Sequence, residues 1–402
     1  MVIQSLFYIR FFKPPPLKCA LYQPFNIVWT IESDLGDRCF GGDLSLVCET
    51  NNPDVKIRFL PPDKKPSKKR NHNGDTAVAD PTNLDYTPYP HGGYGGIVTR
   101  MALVPSSSSN VDPTKIQLCF SLAPAFRSTT VIKKKQVSAD VIPHPVWHHA
   151  YPLVRSSAYK DGTSYSTDNV WIIPTWSMPL NIIPTPKRPS QQQPPKDPPG
   201  GQQAQRKIKL GSTVLSLCED VEQSIARHVW DCGLAMCDFL VEHRNQIKCN
   251  HVIELAALVL QPRTMTLTDL SDALEIMQQN IDLVDSTTTD LQAKVLSWGP
   301  KDSIHGGNKD DTVWAGDEQL VDLILLTDVL YNQGSHDLLL ETLEWLMKGR
   351  NCKVLLAYKE RNTDERVFFS KIKDRHWQCV EAAPTGDHPD SKYPFEMYWI
   401  QK

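Results

Sequence analysis

Hydrophobic and polar residues follow two different patterns along the chain, and the change comes near residue 205. After that point, short apolar runs alternate with segments whose apolar residues recur every three or four positions, as on one face of a helix. The predicted strands are His251–Leu255, Thr266–Leu270, Lys294–Trp298, Leu320–Thr327, Lys353–Tyr358, Trp377–Glu381 and Phe395–Gln401. The predicted helices are Trp230–Glu242, a segment capped by Ser271, a segment from Ser335 to Met347, and Val367–Ile372. This alternation predicts an α/β domain with a mostly parallel sheet and helices on both faces.

The first half of the chain is expected to be largely irregular, because it is rich in proline. Twenty-six of the 31 prolines precede residue 200, and proline removes a backbone donor and disrupts helices and central strands. We therefore divide the chain into a low-complexity region, 1–205, and a folded domain, 206–402. The segment 184–201 is typical of a proline-rich linker. A few short strands, such as Lys115–Leu122, fit within the first region.

Composition narrows the possible partners. The net charge of −3 gives no bias towards nucleic acid or a membrane surface, and no apolar run approaches the roughly 20 residues of a spanning helix. The ten cysteines are scattered without a CxxC pair, which argues against a metal site and a disulfide framework and favours free thiols in a reducing compartment. We expect a cytoplasmic protein. The basic run Lys64–Arg70 is typical of a solvated charge run, and a nuclear import signal is the alternative.

Polar and aromatic residues stand at the carboxyl ends of the predicted strands, where open parallel sheets bind ligands. Asp269 ends the second strand, where a carboxylate either accepts hydrogen bonds from ribose hydroxyls or favours the dipole of the next helix. Asp328 and Tyr331 follow the fourth strand. They would grip a cation by charge and by a cation–π face, or serve as a turn aspartate and a packing tyrosine. Trp230 and Trp298 would pack on an adenine or on the core.

The connection between the first two strands departs from the pattern of nucleotide-binding sheets. Such sheets place a glycine-rich turn after the first strand, whereas the nine residues Ala256–Thr264 (AALVLQPRT) contain no glycine. Alanine adds a side chain where close approach of the backbone is needed. A parallel crossover also takes about ten to twelve residues including its helix. The sequence therefore predicts a defective cofactor loop.

Seven short motifs occur in an order that is typical of a known family. They are Val229–Gly233 (VWDCG), Val252–Leu255 (VIEL), Thr266–Leu270 (TLTDL), Asn280–Leu283 (NIDL), Leu296–Gly299 (LSWG), Thr327–Tyr331 (TDVLY) and Leu355–Arg361 (LLAYKER). Together they resemble the seven-strand, S-adenosylmethionine-dependent protein-lysine methyltransferases of the methyltransferase-21-like group. The resemblance covers about residues 206–402 and implies a Rossmann-like seven-strand sheet, S-adenosylmethionine as cofactor, and a monomer.

The same resemblance implies the class of substrate. The group includes enzymes that act on valosin-containing protein, Hsp70 chaperones and translation elongation factors. The implied partner is therefore a non-histone protein, of elongation-factor or chaperone type, that presents a lysine.

The resemblance also implies a role for each matching residue on the cofactor side. Trp230 would contact the cofactor from the helix before the first strand, and Glu254 would anchor the loop after that strand. Asp269 would hold the ribose hydroxyls. Trp298 would border the adenine, and Thr327 would line the floor of the pocket.

On the substrate side, Asp328 and Tyr331 match the acid-x-x-aromatic motif that positions the target lysine. Placement of the amine is expected to supply most of the catalytic effect. Two positions depart from the family pattern. Ser297 stands where the family has an acid before the tryptophan, and Ala256–Leu258 stand where it has a G-x-G-x-G turn.

Three hypotheses remain open on the sequence alone. The first is an active protein-lysine methyltransferase that rebuilds its cofactor loop from Ala256–Thr264. The second is a catalytically inactive methyltransferase fold that serves as a protein-binding module. The third is that a coding segment for the glycine loop is missing from this sequence although the gene encodes the enzyme. A clean match on both sides of a compact deletion favours the third.

Overall fold

The protein is described by a computed structural model that divides into two compact units. The described residues are 5–61, 84–88, 96–106, 115–127, 147–153, 170–184, 200–210, 213–221, 227–253, 258, 260–284, 288–300, 321–347, 352–382 and 395–402. The first unit comprises Ser5–Lys207 and Cys218–Gln223, and the second comprises Met1–Gln4, Ile208–Leu217 and Ser224–Lys402. No helix in these described ranges has the length and apolar character needed to cross a membrane.

The expectation of a largely irregular N-terminal region is wrong, because its described residues form β-strands. The strands are β1 (Ser5–Lys13), β2 (Lys18–Ala20), β3 (Phe25–Glu32), β4 (Leu44–Thr50), β5 (Val55–Leu60), β6 (Leu84–Tyr86), β7 (Ile97–Pro105), β8 (Leu118–Leu122), β9 (Tyr151–Pro152), β10 (Val170–Ile173), β11 (Thr175–Ser177), β12 (Asn181–Ile183), β13 (Gln203–Leu210) and β14 (Thr213–Asp220). One six-stranded sheet has the order β5-β7-β3-β1-β10-β9, and another has the order β14-β13-β11-β8-β4-β6. Strands β12 and β2 pair separately.

The two six-stranded sheets share one apolar core. Along β3, Phe25, Ile27, Trp29 and Ile31 alternate inward and are at most 1% exposed, the period of two that a half-buried strand requires. Phe11 of β1 meets Phe120 of β8 edge to face, with ring centroids 5.0 Å apart. The unit is therefore a sandwich. The proline triplet that follows β1 lies in a connection between strands, where a missing backbone donor does not interrupt a sheet.

A buried ion pair fixes β13 within this sandwich. The Arg206 side chain is 1% exposed and pairs with Glu219 at 2.6 Å. Its guanidinium also donates to the carbonyls of Pro174 at 2.6 Å and Ile9 at 2.8 Å. The charge is thus paired and its remaining donors are used, which is the condition under which a buried guanidinium is tolerated.

The second unit is the α/β domain predicted from the sequence. Its strands are β15 (His251–Ile253), β16 (Thr264–Asp269), β17 (Asp290–Val295), β18 (Leu323–Thr327), β19 (Lys353–Tyr358), β20 (Gln378–Glu381) and β21 (Glu396–Gln401). Its helices are α1 (Asp231–His243), α2 (Leu274–Asp282), α3 (His336–Leu346) and α4 (Val367–Asp374). The sheet order is β17-β16-β15-β18-β19-β21-β20. All pairs are parallel except those that β21 makes with β19 and β20.

Helices cover both faces of this sheet. On one face, Leu323 and Leu325 pack in a cluster with residues of α1, and Met277 of α2 packs against it. On the other face, Ile324 and Leu326 pack with residues of α3 and α4. Burial on both faces explains why β18 is a nearly continuous apolar run.

The connection between β15 and β16 is short but leaves the strands parallel. His251 lies opposite Thr264 in the register, and only ten residues, 254–263, join the two strands. Within the described part of this connection, Leu258 and Leu260 are partly buried and pack against the apolar cluster on the α1 side. These leucines therefore cover sheet surface that a crossover helix normally covers.

Candidate active site

The carboxyl ends of β16, β17 and β18 carry most of the residues predicted to form a site. The strand order reverses between β15 and β18, and ligands of open α/β sheets bind at such a point. Asp269 and Thr327 are the last residues of β16 and β18, and Trp298 follows β17. Glu254 lies outside the described residues.

Asp269 presents a half-buried carboxylate at this edge. Its Oδ1 accepts the backbone N–H of Leu270 at 2.7 Å, and its Oδ2 accepts no hydrogen bond from the described part of the chain. Burial raises the pKa of the Asp269 carboxyl, the Leu270 N–H opposes that shift, and the charge of Asp272 adds to it. An oxygen in this state favours a hydroxyl donor.

Trp298 lies at the same edge because Asp269 is opposite Val295 in the β16–β17 register. The indole is partly buried and packs against the apolar cluster on the α3 side. The next residue, Gly299, has φ +146°, a conformation that side-chain-bearing residues rarely adopt. Its N–H donates to Thr342 Oγ1 at 2.8 Å and its carbonyl accepts from Trp345 Nε1 at 3.2 Å. The LSWG segment is thus fixed to α3.

Asp328 is held inside the protein by two partners. Its Oδ1 accepts from the guanidinium of Arg361, and its Oδ2 accepts the backbone N–H of Cys232 at 3.1 Å, in the first turn of α1. The Asp328 side chain is 6% exposed and that of Arg361 is 13% exposed. A carboxylate at this place is favoured by the helix dipole. Asp328 also has φ +55°, which aspartate tolerates better than most residues.

A second ion pair lies beside the first. Lys359 Nζ is 2.7 Å from Asp231 Oδ2, and the aspartate is 4% exposed. The guanidinium of Arg361 lies 5.5 Å from the ring centroid of Trp230, within cation–π range. We call Trp230, Asp231, Asp328, Lys359 and Arg361 the ion-pair clamp. It joins the segments after β18 and β19 to the start of α1.

Sequence reasoning missed three members of the ion-pair clamp. Asp231, Lys359 and Arg361 all lie in motifs that carry the resemblance, VWDCG and LLAYKER, but no role was assigned to them. The available signal was charge: two bases follow one central strand, and two acids stand at the start of a helix and at the end of the neighbouring strand.

The structure does not bring Asp328 and Tyr331 into one environment. Tyr331 is 56% exposed, whereas Asp328 is buried and already paired with a cation. Thr327, the last residue of β18, is partly buried and lies opposite Ala357 of β19. Cys232 offers no nucleophile, because burial raises the pKa of its thiol well above the usual range and the charge of Asp328 adds to the shift. In the ranges that the structure describes, no cluster of acidic, histidine or cysteine side chains could hold a metal ion.

The part of the chain that matches a protein-family model lies mostly in the second unit. Residues 209–375 match a family model described as lysine methyltransferase. EEF1A lysine methyltransferase 3 of Mus musculus is 28% identical over 192 residues, covering 41% of this chain and 77% of that protein. Protein N-lysine methyltransferase METTL21A of Danio rerio is 27% identical over 186 residues, covering 43% and 79%. Protein-lysine N-methyltransferase EFM6 of Saccharomyces cerevisiae is 28% identical over 194 residues, covering 42% and 77%.

Proposed function

We propose that the second unit is a protein-lysine methyltransferase domain that uses S-adenosylmethionine and acts on a non-histone protein. The proposal is supported by the match of residues 209–375 to the family model described as lysine methyltransferase and by the names of the similar proteins. The observation that carries the proposal is the half-buried carboxylate of Asp269 at the end of β16, beside the reversal of strand order. The name of the mouse relative supports translation elongation factors as the first substrates to test, with chaperones next.

The nucleoside end of S-adenosylmethionine fits the described residues. The open Oδ2 of Asp269 can accept hydrogen bonds from a ribose diol. The indole of Trp298, at the same edge, offers a flat apolar surface for an adenine. Thr327, at the end of β18 and two strands from β16, would line the floor of the pocket. These roles follow from placement at one edge of the sheet.

The methionyl end does not fit. A carboxylate is usually received by backbone N–H groups at a helix N-terminus or in a glycine turn. The chain has no glycine between Gly233 and Gly299, and the first turn of α1 already receives Asp328. The charged side chains of the ion-pair clamp already pair with one another. The described residues therefore offer this end of the cofactor neither a counter-ion nor a set of N–H donors.

The acceptor lysine would meet Asp328 and Tyr331. Tyr331 presents an exposed ring with a cation–π face, and Asp328 supplies a carboxylate for which the lysine ammonium must compete with Arg361. Transfer needs a neutral amine held in line with the methyl group, so the contribution of these residues would be placement of the lysine. That contribution depends on how firmly Arg361 holds Asp328.

A second candidate function is a protein-binding module on an inactive methyltransferase fold. The mismatch at the methionyl end favours it, because a fold can present a partner surface without holding a complete cofactor.

Methyl transfer separates the two candidates. The full chain would be incubated with methyl-labelled S-adenosylmethionine and purified elongation factor 1A or an Hsp70 chaperone, and lysine methylation would be read by mass spectrometry. Asp328→Asn should lower incorporation at least tenfold. Its matched control is Asp337→Asn, which removes a carboxylate from the first turn of α3 in an ion pair with Lys371 and should leave incorporation unchanged. No incorporation into any substrate by the folded chain would exclude the enzyme and leave the binding module.

A further inference from the structure

The two ends of the proposed cofactor site differ in what they offer a ligand. At one end, Asp269 keeps a half-buried carboxylate oxygen for which the described residues supply no donor and no cation. A buried carboxylate is more stable when its oxygens accept hydrogen bonds. The adjacent hydroxyls of a ribose supply two donors to one carboxylate, and the indole of Trp298 lies at the same edge of the sheet. This end has the chemistry of a purine nucleoside site.

At the other end, the described residues leave an amino-acid group few places to bind. Leu258 and Leu260 pack down onto the sheet. In the first turn of α1, the N–H of Cys232 is taken by Asp328 at 3.1 Å, and the N–H of Gly233 donates to the carbonyl of Trp230 at 3.1 Å. The helix dipole at this terminus already acts on a protein carboxylate.

The charges near α1 also balance. Asp231 pairs with Lys359, and Asp328 pairs with Arg361. Among these described side chains, an incoming zwitterion would gain a counter-ion by displacing one of the two pairs. A hydrogen bond to a charged group contributes roughly 10- to 100-fold in affinity, so a ligand that carries the amino acid gains little here over one that lacks it.

We propose that this chain binds adenosine-type ligands by the nucleoside end alone, without selecting those that carry the methionyl amino acid. The ligand class is a purine nucleoside with a free 2′,3′-diol and an uncharged or thioether group at the 5′ position. The inference rests on the nucleoside half of the proposed function and predicts that S-adenosylmethionine is held no more tightly than its fragments.

Calorimetry with the full chain tests this directly. The probes are adenosine, 5′-methylthioadenosine, S-adenosylhomocysteine and 2′-deoxyadenosine. The first three should bind with Kd values within about threefold of one another, and 2′-deoxyadenosine should bind at least tenfold more weakly. Asp269→Asn should weaken the first three equally, by tenfold or more. The matched control, Asp282→Asn, changes an exposed carboxylate on α2 and should leave every Kd within twofold.

Two outcomes would overturn the inference. S-adenosylhomocysteine binding more than about tenfold tighter than 5′-methylthioadenosine, the effect of one hydrogen bond to a charged group, would mean that an amino-acid site exists. No adenosine binding at millimolar concentration, in a chain whose circular dichroism shows it folded, would mean that Asp269 does not serve a nucleoside. The methylation assay distinguishes failure of this inference from failure of the proposed function. If the chain methylates a substrate but binds S-adenosylhomocysteine much more tightly than 5′-methylthioadenosine, only this inference is wrong. If the nucleosides bind with equal affinity but no substrate is methylated, only the proposed enzyme activity is wrong.

Discussion

Replacing Arg361 by glutamine tests whether the ion-pair clamp holds the ends of the central strands to α1. The change removes the cation that faces Asp328 and keeps a polar side chain of similar length. Asp328, 6% exposed, then remains as a buried carboxylate without a cation, held by the backbone N–H and the thiol of Cys232. The folded state should lose stability while the unfolded state is nearly unchanged.

The size of the loss follows from the burial of the pair. Removing one partner of a buried ion pair costs about 3–5 kcal/mol. Arg361 is 13% exposed, and the helix N-terminus continues to stabilise the carboxylate of Asp328, by up to about 2 kcal/mol in a partly buried geometry. We therefore expect a loss of about 2–3 kcal/mol. The matched control is Arg366→Gln, because Arg366 is 43% exposed and pairs with Glu360 and Glu396. An exposed ion pair contributes about 0–1 kcal/mol.

Hydrogen exchange read by mass spectrometry suits a chain with two units, since a single unfolding midpoint is not expected to describe it. Peptides that cover Leu323–Thr327 and Lys353–Tyr358 should exchange about 30- to 150-fold faster in Arg361→Gln, the ratio that corresponds to the expected loss. Adding Asp328→Asn should recover part of the protection, because the stranded charge is then removed.

An acceleration of less than fivefold in Arg361→Gln, or one no larger than in Arg366→Gln, would contradict this expectation. Either result would mean that Asp328 is solvated in solution and that the ion-pair clamp contributes no more than a surface pair. Asp328 would then be free to meet a substrate lysine without displacing an arginine.

Three further changes test other parts of the molecule. Asp269→Asn should raise the free energy of unfolding at pH 7, because burial raises the pKa of this carboxyl in the folded chain. Hydrogen exchange in peptides of β16, compared between the two chains at each pH, should show no gain in protection below the ordinary pKa of 3.8 and a gain that grows as pH rises from there through the folded pKa. Arg206→Met should cost the sandwich about 3–5 kcal/mol by stranding Glu219, read as faster exchange in peptides of β1 and β11, and adding Glu219→Gln should recover part of the loss. Thr342→Val should cost about 1–2 kcal/mol, because the Gly299 N–H loses its acceptor. Faster hydrogen exchange in peptides of α3 would measure the loss, and unchanged exchange would show that water replaces the hydroxyl.

The α/β unit was predictable because its signals are local. Strand β19 has the bounds that the apolar run Lys353–Tyr358 predicts, and β18 ends at Thr327 as expected. The third strand was placed too late. The apolar residues of LSWG suggested that the strand continues to Trp298. Instead Gly299 takes a positive φ and the segment packs on α3, so β17 ends at Val295.

The sandwich was not predictable by counting prolines. The alternating residues of β3 carried a strand signal, but the proline count, taken without regard to position, outweighed it. The pairing itself is also non-local, since β1 pairs in parallel with β10, and Ser5 lies opposite Val170 in the register. Local pattern cannot assign a partner at such a separation.

In the candidate site too, local sequence signals predicted single residues but not how they pair. Asp269 and Asp328 were found because the first ends a strand and the second directly follows one. The pairing of Asp328 with Arg361 was not found, because it depends on the register that sets Thr327 opposite Ala357. Only that register brings the segments after β18 and β19 close enough for the two charges to meet.

The Arg206 network sets a limit on how the chain can fold as it is made. Arg206 donates to the carbonyl of Ile9 across 197 positions in the sequence, and Glu219 completes the pair. At about 5–20 residues per second, the first strand waits roughly 10–40 s for these partners to be synthesised. During that time the strands made first expose apolar faces and unpaired edges to other chains. A fragment that ends at residue 205 lacks both Arg206 and Glu219. The first unit is therefore a folding unit only when β13 and β14, which carry these residues, are present.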